Sequence, residues 1–170
     1  GPAYNREPML DGAISGGGPG GLAAARRLAD NRRSVTVFEE HERIGTPVHC
    51  TGVLAQDVVA SLDLPPDALL NPLSTVRFVA PAGHSFDYTT ATTEAVVIDR
   101  ETFDNALARR AEAAGAAIVR GQRVTGIESV NDGVPITLGD GATHRARAVI
   151  LACGANYTFQ KRLGLGMPST

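Results

Sequence analysis

Residues 11–39, DGAISGGGPGGLAAARRLADNRRSVTVFE, decide the fold. Met9–Ser15 reads as a short first strand, weakened by Gly12 inside it and by the polar Ser15 at its end. GGGPGG follows at Gly16–Gly21, and Leu22–Asp30 is built from Ala, Leu and Arg, all strong helix formers. Leu22, Ala25, Leu28 and Ala29 fall at helical spacing, giving a small apolar face that can lie close to a sheet. Ser34–Glu39 is β-branched and aromatic and ends in an acid. The order is therefore strand, glycine turn, helix, strand.

That order gives the glycines separate tasks. Gly16 permits the tight turn, Gly18 lets backbone approach a pyrophosphate, and Gly21 lets helix and strand pack closely. The helix start presents free N–H groups and its positive dipole end to the same place, with Pro19 and Gly20 completing the loop. Glu39 lies 23 residues beyond Gly16, where a carboxylate accepts hydrogen bonds from ribose hydroxyls and repels a 2′-phosphate. Strand alternation turns Glu39 and Glu40 in opposite directions. We take Glu39 as the ribose ligand and keep Glu40 as its neighbour in the candidate site.

Further along, the sequence predicts a helix over 54–62, ended by Pro65-Pro66. Val76–Ala80 and Ser85–Thr89 read as strands around a Pro81–His84 turn, and Val96–Ile98 is a short apolar run. An amphipathic helix spans Arg100–Gly115, in which Asp104, Arg109 and Arg110 read as solvated charges. Strands follow at Ala116–Val119, Arg123–Val130, Pro135–Leu138 and Ala146–Ala152, with turns at 131–133 and 139–141.

The fold class is α/β: a Rossmann-type parallel sheet with flanking helices and a small antiparallel β-meander. Residues 9–170 read as a single dinucleotide-binding domain, with a β-hairpin inserted near 75–98 and the meander near 122–146. Residues 1–8 read as a tag remnant or disordered tail. The 170 residues are 43% hydrophobic and 20% charged, as in ordinary globular chains. A net charge of −2 leaves no basic footprint for nucleic acid. No apolar run has membrane-spanning length, no secretion signal is evident, and a cytoplasmic setting is expected. Cys50 and Cys153 lack metal or redox spacing, and the four histidines are scattered among loop-like segments, so no metal is expected.

The pieces GGGPGGLAAARRLA, VTVFEEHERIGTPVHCTGVL, IDRETFDNALARRAEAAGA and AVILACGANYTFQKRLGLG run in an order that resembles the geranylgeranyl reductase group of FAD-dependent oxidoreductases. These belong with the aromatic-ring hydroxylases. The resemblance implies FAD, bound extended with its pyrophosphate at Gly16–Gly21. It implies Arg100 near the pyrophosphate and flavin, a backbone contact to adenine at Val124, and Gly154 closing a strand beside the adenine half. It also implies that the Cys50–Gly52 loop reaches the flavin ring, which makes Cys50 the catalytic candidate; Cys153 is read as packing and His49 as a surface residue. Relative to that group the chain is truncated, ending where a substrate sheet and a glycine-aspartate segment would follow. The implied activity is reduction of C=C bonds in isoprenoid-like, hydrophobic small molecules. FAD-dependent monooxygenation or halogenation, and a non-catalytic nucleotide-binding fragment, stand as alternatives. An NAD-dependent dehydrogenase ranks last, because simple NAD folds lack a sheet-like insertion at Val76–Ile98. Peripheral membrane contact, and oligomerisation through the surface the absent half would cover, are left open.

Overall fold

The computed structural model describes residues 8–128, 130 and 132–166. Residues 1–7 of the expected tail, residue 129 of the expected Arg123–Val130 strand, residue 131 of the expected 131–133 turn, and residues 167–170 therefore lie outside the described residues. In chain order the strands and helices are β1 Leu10–Ser15, α1 Pro19–Asp30, β2 Val35–Phe38, β3 Val53–Ala55, α2 Gln56–Leu62, β4 Leu69–Leu73, β5 Thr75–Val79, β6 Ser85–Thr89, β7 Ala95–Ile98, α3 Arg100–Ala113, β8 Ala117–Val119, β9 Val124–Ile127, β10 Val134–Leu138, β11 Thr143–Leu151 and α4 Thr158–Arg162. They form two compact units: the first is the chain on either side of Pro47–Ala106, and the second is Pro47–Ala106 itself.

The first unit is a six-stranded sheet in the order β8-β2-β1-β11-β10-β9. β8, β2, β1 and β11 run parallel, while β10 and β9 continue the sheet antiparallel. The expected meander is thus the antiparallel end of the main sheet. Parallel neighbours need a crossover, and α1 supplies it between β1 and β2. Side-chain alternation splits the strands between two cores. Ala13, Phe38, Ile136, Leu138 and Ala146 bury one face with Phe159 of α4; Ile14, Val35 and Val37 bury the other with Ala25 and Ala29 of α1 and Ala111 of α3. Gly12, a weakness in the sequence, has a packing reason: a Cβ there would stand 3.2 Å from Leu28 Cδ1 of α1.

The second unit contains a three-stranded antiparallel sheet, β3-β7-β4, and the separate β5–β6 hairpin. The hairpin closes with Ala80 N–H donating to His84 O at 2.8 Å, and Gly83 takes a φ of 86°. Three expectations shift here. Val53–Ala55 pairs with β7, so the helix starts at Gln56 rather than Leu54. That helix ends at Asp63, in the left-handed region, before the prolines, and Pro66 instead opens a 3-10 turn. β4 was not foreseen, because Asn71-Pro72 signals a turn; it survives as an edge strand, where a missing N–H costs little.

Candidate cofactor site

The glycine loop is pinned from both sides. Gly16 N–H donates to Phe38 O at the end of β2, and Ala152 N–H, just past β11, donates to Ser15 O. Gly16 has a φ of 110°, and a Cβ there would collide with the Ala152 carbonyl. A Cβ at Gly21 would collide with the Gly16 carbonyl, so these two glycines exist for close packing. Gly18 and Gly20 differ: a Cβ on either meets nothing within 4 Å. They leave an open face at the start of α1. Gly18 is the N-cap without a side-chain cap, Pro19 follows it, and the first turn holds no acid. The first N–H groups of the helix therefore lack intrahelical partners, and no acid within the first turn offsets the positive end of the dipole.

Glu39 sits just beyond β2 and is only 9% exposed. Gly17 N–H donates to its Oε2 at 2.6 Å, while His41 N–H donates to Oε1 at 2.9 Å and His41 Nδ1 lies 2.6 Å from the same oxygen. Glu40 turns the other way, exposed, with Arg123 Nε at 3.4 Å. Gly17 was absent from the sequence-based set, because the glycine fingerprint treats that position as free. The third consecutive glycine was the available signal: a Cβ at Gly17 would stand 3.0 Å from Glu39 Cβ, Glu39 Oε2 and Ile44 Cδ1. An open glycine face at an uncapped helix start, beside a buried carboxylate, suits the pyrophosphate and ribose of a dinucleotide.

Two further candidates in this unit are placed by the sheet. Val124 is buried at the start of β9, where Leu138 is its partner. Gly154 follows β11 with a φ of 57°, and a Cβ there meets nothing within 4 Å. Cys153 is partly buried against the core that holds Phe38, and its thiol reaches Asn156 O at 3.4 Å. His144 is the exception to the loop-like histidines: it lies in β11 with its ring 5.1 Å from that of Phe38.

In the second unit, Arg100 opens α3 and forks onto Asp104, Nε to Oδ1 at 3.2 Å and Nη2 to Oδ2 at 3.0 Å. Asp104 is 4% exposed, which corrects its reading as a solvated charge; one turn along the helix, it can be buried because the guanidinium accompanies it. Burial pushes its carboxyl above the usual range, against the pull of Arg100. Cys50 is exposed, and its thiol is held below the usual range, first by the Gly52 N–H at 3.5 Å and then by Arg100. Gly52, with a φ of 69°, brings this loop against β7, where a Cβ would stand 2.5 Å from Ile98 O. His49 is exposed.

Residues 54–168 match the FAD dependent oxidoreductase family, and residues 14–80 match the NAD(P)-binding Rossmann-like domain. The digeranylgeranylglycerophospholipid reductase of Methanoculleus marisnigri is 32% identical over 160 residues, covering 89% of this chain and 40% of that protein. The structure of a geranylgeranyl bacteriochlorophyll reductase-like protein from Thermoplasma acidophilum superposes with a TM-score of 0.79 at 26% identity, covering 95% of this chain and 44% of that one. Halogenase PltM in complex with phloroglucinol and FAD superposes with a TM-score of 0.73 at 18% identity, which is a likeness of fold. The chain spans about two fifths of the length of the curated reductases it matches.

Proposed function

The chain belongs to the FAD dependent oxidoreductase family, and from that premise we propose that residues 9–170 form one FAD-binding domain of a reductase acting on C=C bonds of isoprenoid-like molecules. The observation that carries the cofactor assignment is the open face at Gly18 and Gly20, set beside the buried Glu39. In this reading the N–H groups of Gly20 and Gly21 hold the pyrophosphate, with Gly16 and Pro19 shaping the loop. Glu39 accepts from the adenosine ribose, and Glu40 lies at its margin. The Val124 backbone meets adenine and Gly154 keeps that side open. Arg100 and Cys50 serve the flavin side, where Arg100 supplies positive charge and Cys50 is the candidate for contact with the ring.

Bound flavin supplies hydride-transfer chemistry, and the protein contributes binding, orientation and electrostatics. The reductase resemblance supports a hydrophobic small-molecule substrate. Among the described residues no helix is long and apolar enough to cross a membrane. We assign the protein to the cytoplasm, with contact to a membrane surface as its route to such substrates.

The test is visible absorbance of the purified chain after incubation with FAD and removal of free ligand, with Glu39→Gln in parallel. A retained flavin spectrum, lost or weakened in Glu39→Gln, is the expected result. At ligand a hundredfold above Kd, binding adds about 2.7 kcal/mol of stability, which a thermal melt registers. A colourless protein stabilised by ADP alone leaves a nucleotide-binding module and removes the oxidoreductase reading for this chain. Indifference to both ligands removes the cofactor site.

A further inference from the structure

Glu39 is oversubscribed for the role just assigned to it. A carboxylate offers about four acceptor positions. Three are already used, by Gly17 N–H, by His41 N–H and by the His41 ring. A ribose diol brings two hydroxyl donors, and a single position is left for them.

The three donors are not equally movable. The Gly17 amide belongs to a loop pinned by Phe38 O. The His41 amide belongs to backbone that is pinned as well: Gly121 N–H donates to His41 O at 3.1 Å, and Gln122 N–H donates to Glu39 O at 2.8 Å. Among the described residues the imidazole makes its hydrogen bond to Oε1, and its side chain is 45% exposed. Rotation about its own side-chain bonds would release it into water without moving any backbone. Its departure leaves two acceptor positions, the number a diol needs.

We infer that His41 is a displaceable plug on the ribose acid: its imidazole occupies the acceptor position that the second ribose hydroxyl must take, so nucleotide binding proceeds by exchange of ring for hydroxyl. This rests on the assignment of Glu39 to the ribose. At 2.6 Å from a carboxylate oxygen, Nδ1 must carry the proton, and the bond strengthens when the ring becomes a cation. Acid therefore tightens the plug, and base loosens it. The charged groups around it are Glu39, Glu40, Glu42 and Arg43 on its own loop, and Arg120 and Arg123 on the facing segment after β8. Arg123 is paired with Glu40, and Arg120 with Glu112. Of these side-chain types only imidazole ordinarily titrates between about pH 5 and 8.

The experiment measures the Kd of the full chain for ADP-ribose by calorimetry at several values between about pH 5 and 8. This probe carries the adenosine ribose, and its diesterified pyrophosphate keeps a fixed charge over that span. Wild type is expected to bind more weakly as pH falls. His41→Ala is expected to bind roughly two- to tenfold more tightly, the worth of one hydrogen bond, with a flat pH profile. His41→Asn, a donor that does not titrate, is expected to flatten the profile while staying weaker than His41→Ala. A ring that merely supports the acid predicts the reverse, with His41→Ala weaker than wild type, and that result overturns the plug while leaving Glu39 as the ribose ligand. Equal affinity in wild type and His41→Ala does the same. If neither protein binds ADP-ribose, the nucleotide assignment falls and takes the plug with it. Binding by His41→Ala alone supports both.

Discussion

At the scale of single residues, Cys50 joins an exposed thiol to two stabilisers of its anion, the Gly52 N–H and the Arg100 guanidinium. A thiol held below its ordinary range forms thiolate at lower pH, and the thiolate is the nucleophile. In a Cys153→Ser background, the rate of alkylation by iodoacetamide should therefore climb at lower pH than for an ordinary cysteine. The Arg100→Gln/Asp104→Asn double variant, which leaves no carboxylate buried without its partner, should move the midpoint upward part of the way. The Gly52 amide, the larger cause, remains, so a full return to ordinary behaviour would contradict this account. Glu39 and the loop glycines were legible as candidates because they stand at a defined spacing, and Cys50 only through the family resemblance. Asp104 was not, since helical periodicity places it without revealing what covers it.

At the scale of elements, β1, α1 and β2 work as one device in which glycine sets the distance between backbones. A methyl group at residue 21 would meet the Gly16 carbonyl, part of a loop fixed by hydrogen bonds to β2, so neither side can yield cheaply. Gly21→Ala is expected to lower stability by about 1–3 kcal/mol in urea unfolding and to weaken ADP binding. Gly20→Ala, whose methyl meets nothing, should leave stability within about 0.5 kcal/mol, and the helix gains from the better propensity. Equal losses in the two variants would show that packing is not what separates them. The sequence predicted most strands from β-branched runs bounded by turn residues. It missed β4, where Pro72 reads as a breaker unless the strand is known to lie at an edge. It also missed α4, whose five residues are too few for a helical period to show; Asn156 secures its start by accepting from Thr158 N–H and Oγ1.

At the scale of the whole molecule, charge and exposed apolar surface set its behaviour in solution. On the β5–β6 hairpin, Val76 and Phe78 lie opposite Tyr88 and Phe86, all between 50% and 64% exposed, with the two phenyl rings stacked at 4.9 Å. The other face pairs Arg77 with Asp87 and Thr75 with Thr89. Repulsion between copies is least near the isoelectric point of about 6.1. Light scattering should therefore peak near that pH, and Phe86→Glu, which breaks the apolar face and adds negative charge, should reduce it; an unchanged signal would place the association elsewhere. The sequence by itself determined the βαβ start, the glycine loop and the acid that ends the second strand. Those follow from backbone sterics and from the periods of helix and strand, which act over a few residues. Only the tertiary structure decided that the meander continues the parallel sheet, that Asp104 is buried with Arg100, that Gly17 holds Glu39, and that the His41 ring stands on the same carboxylate. These are contacts between backbone and side-chain atoms whose distances depend on how the chain turns and packs, and residue spacing carries no record of them.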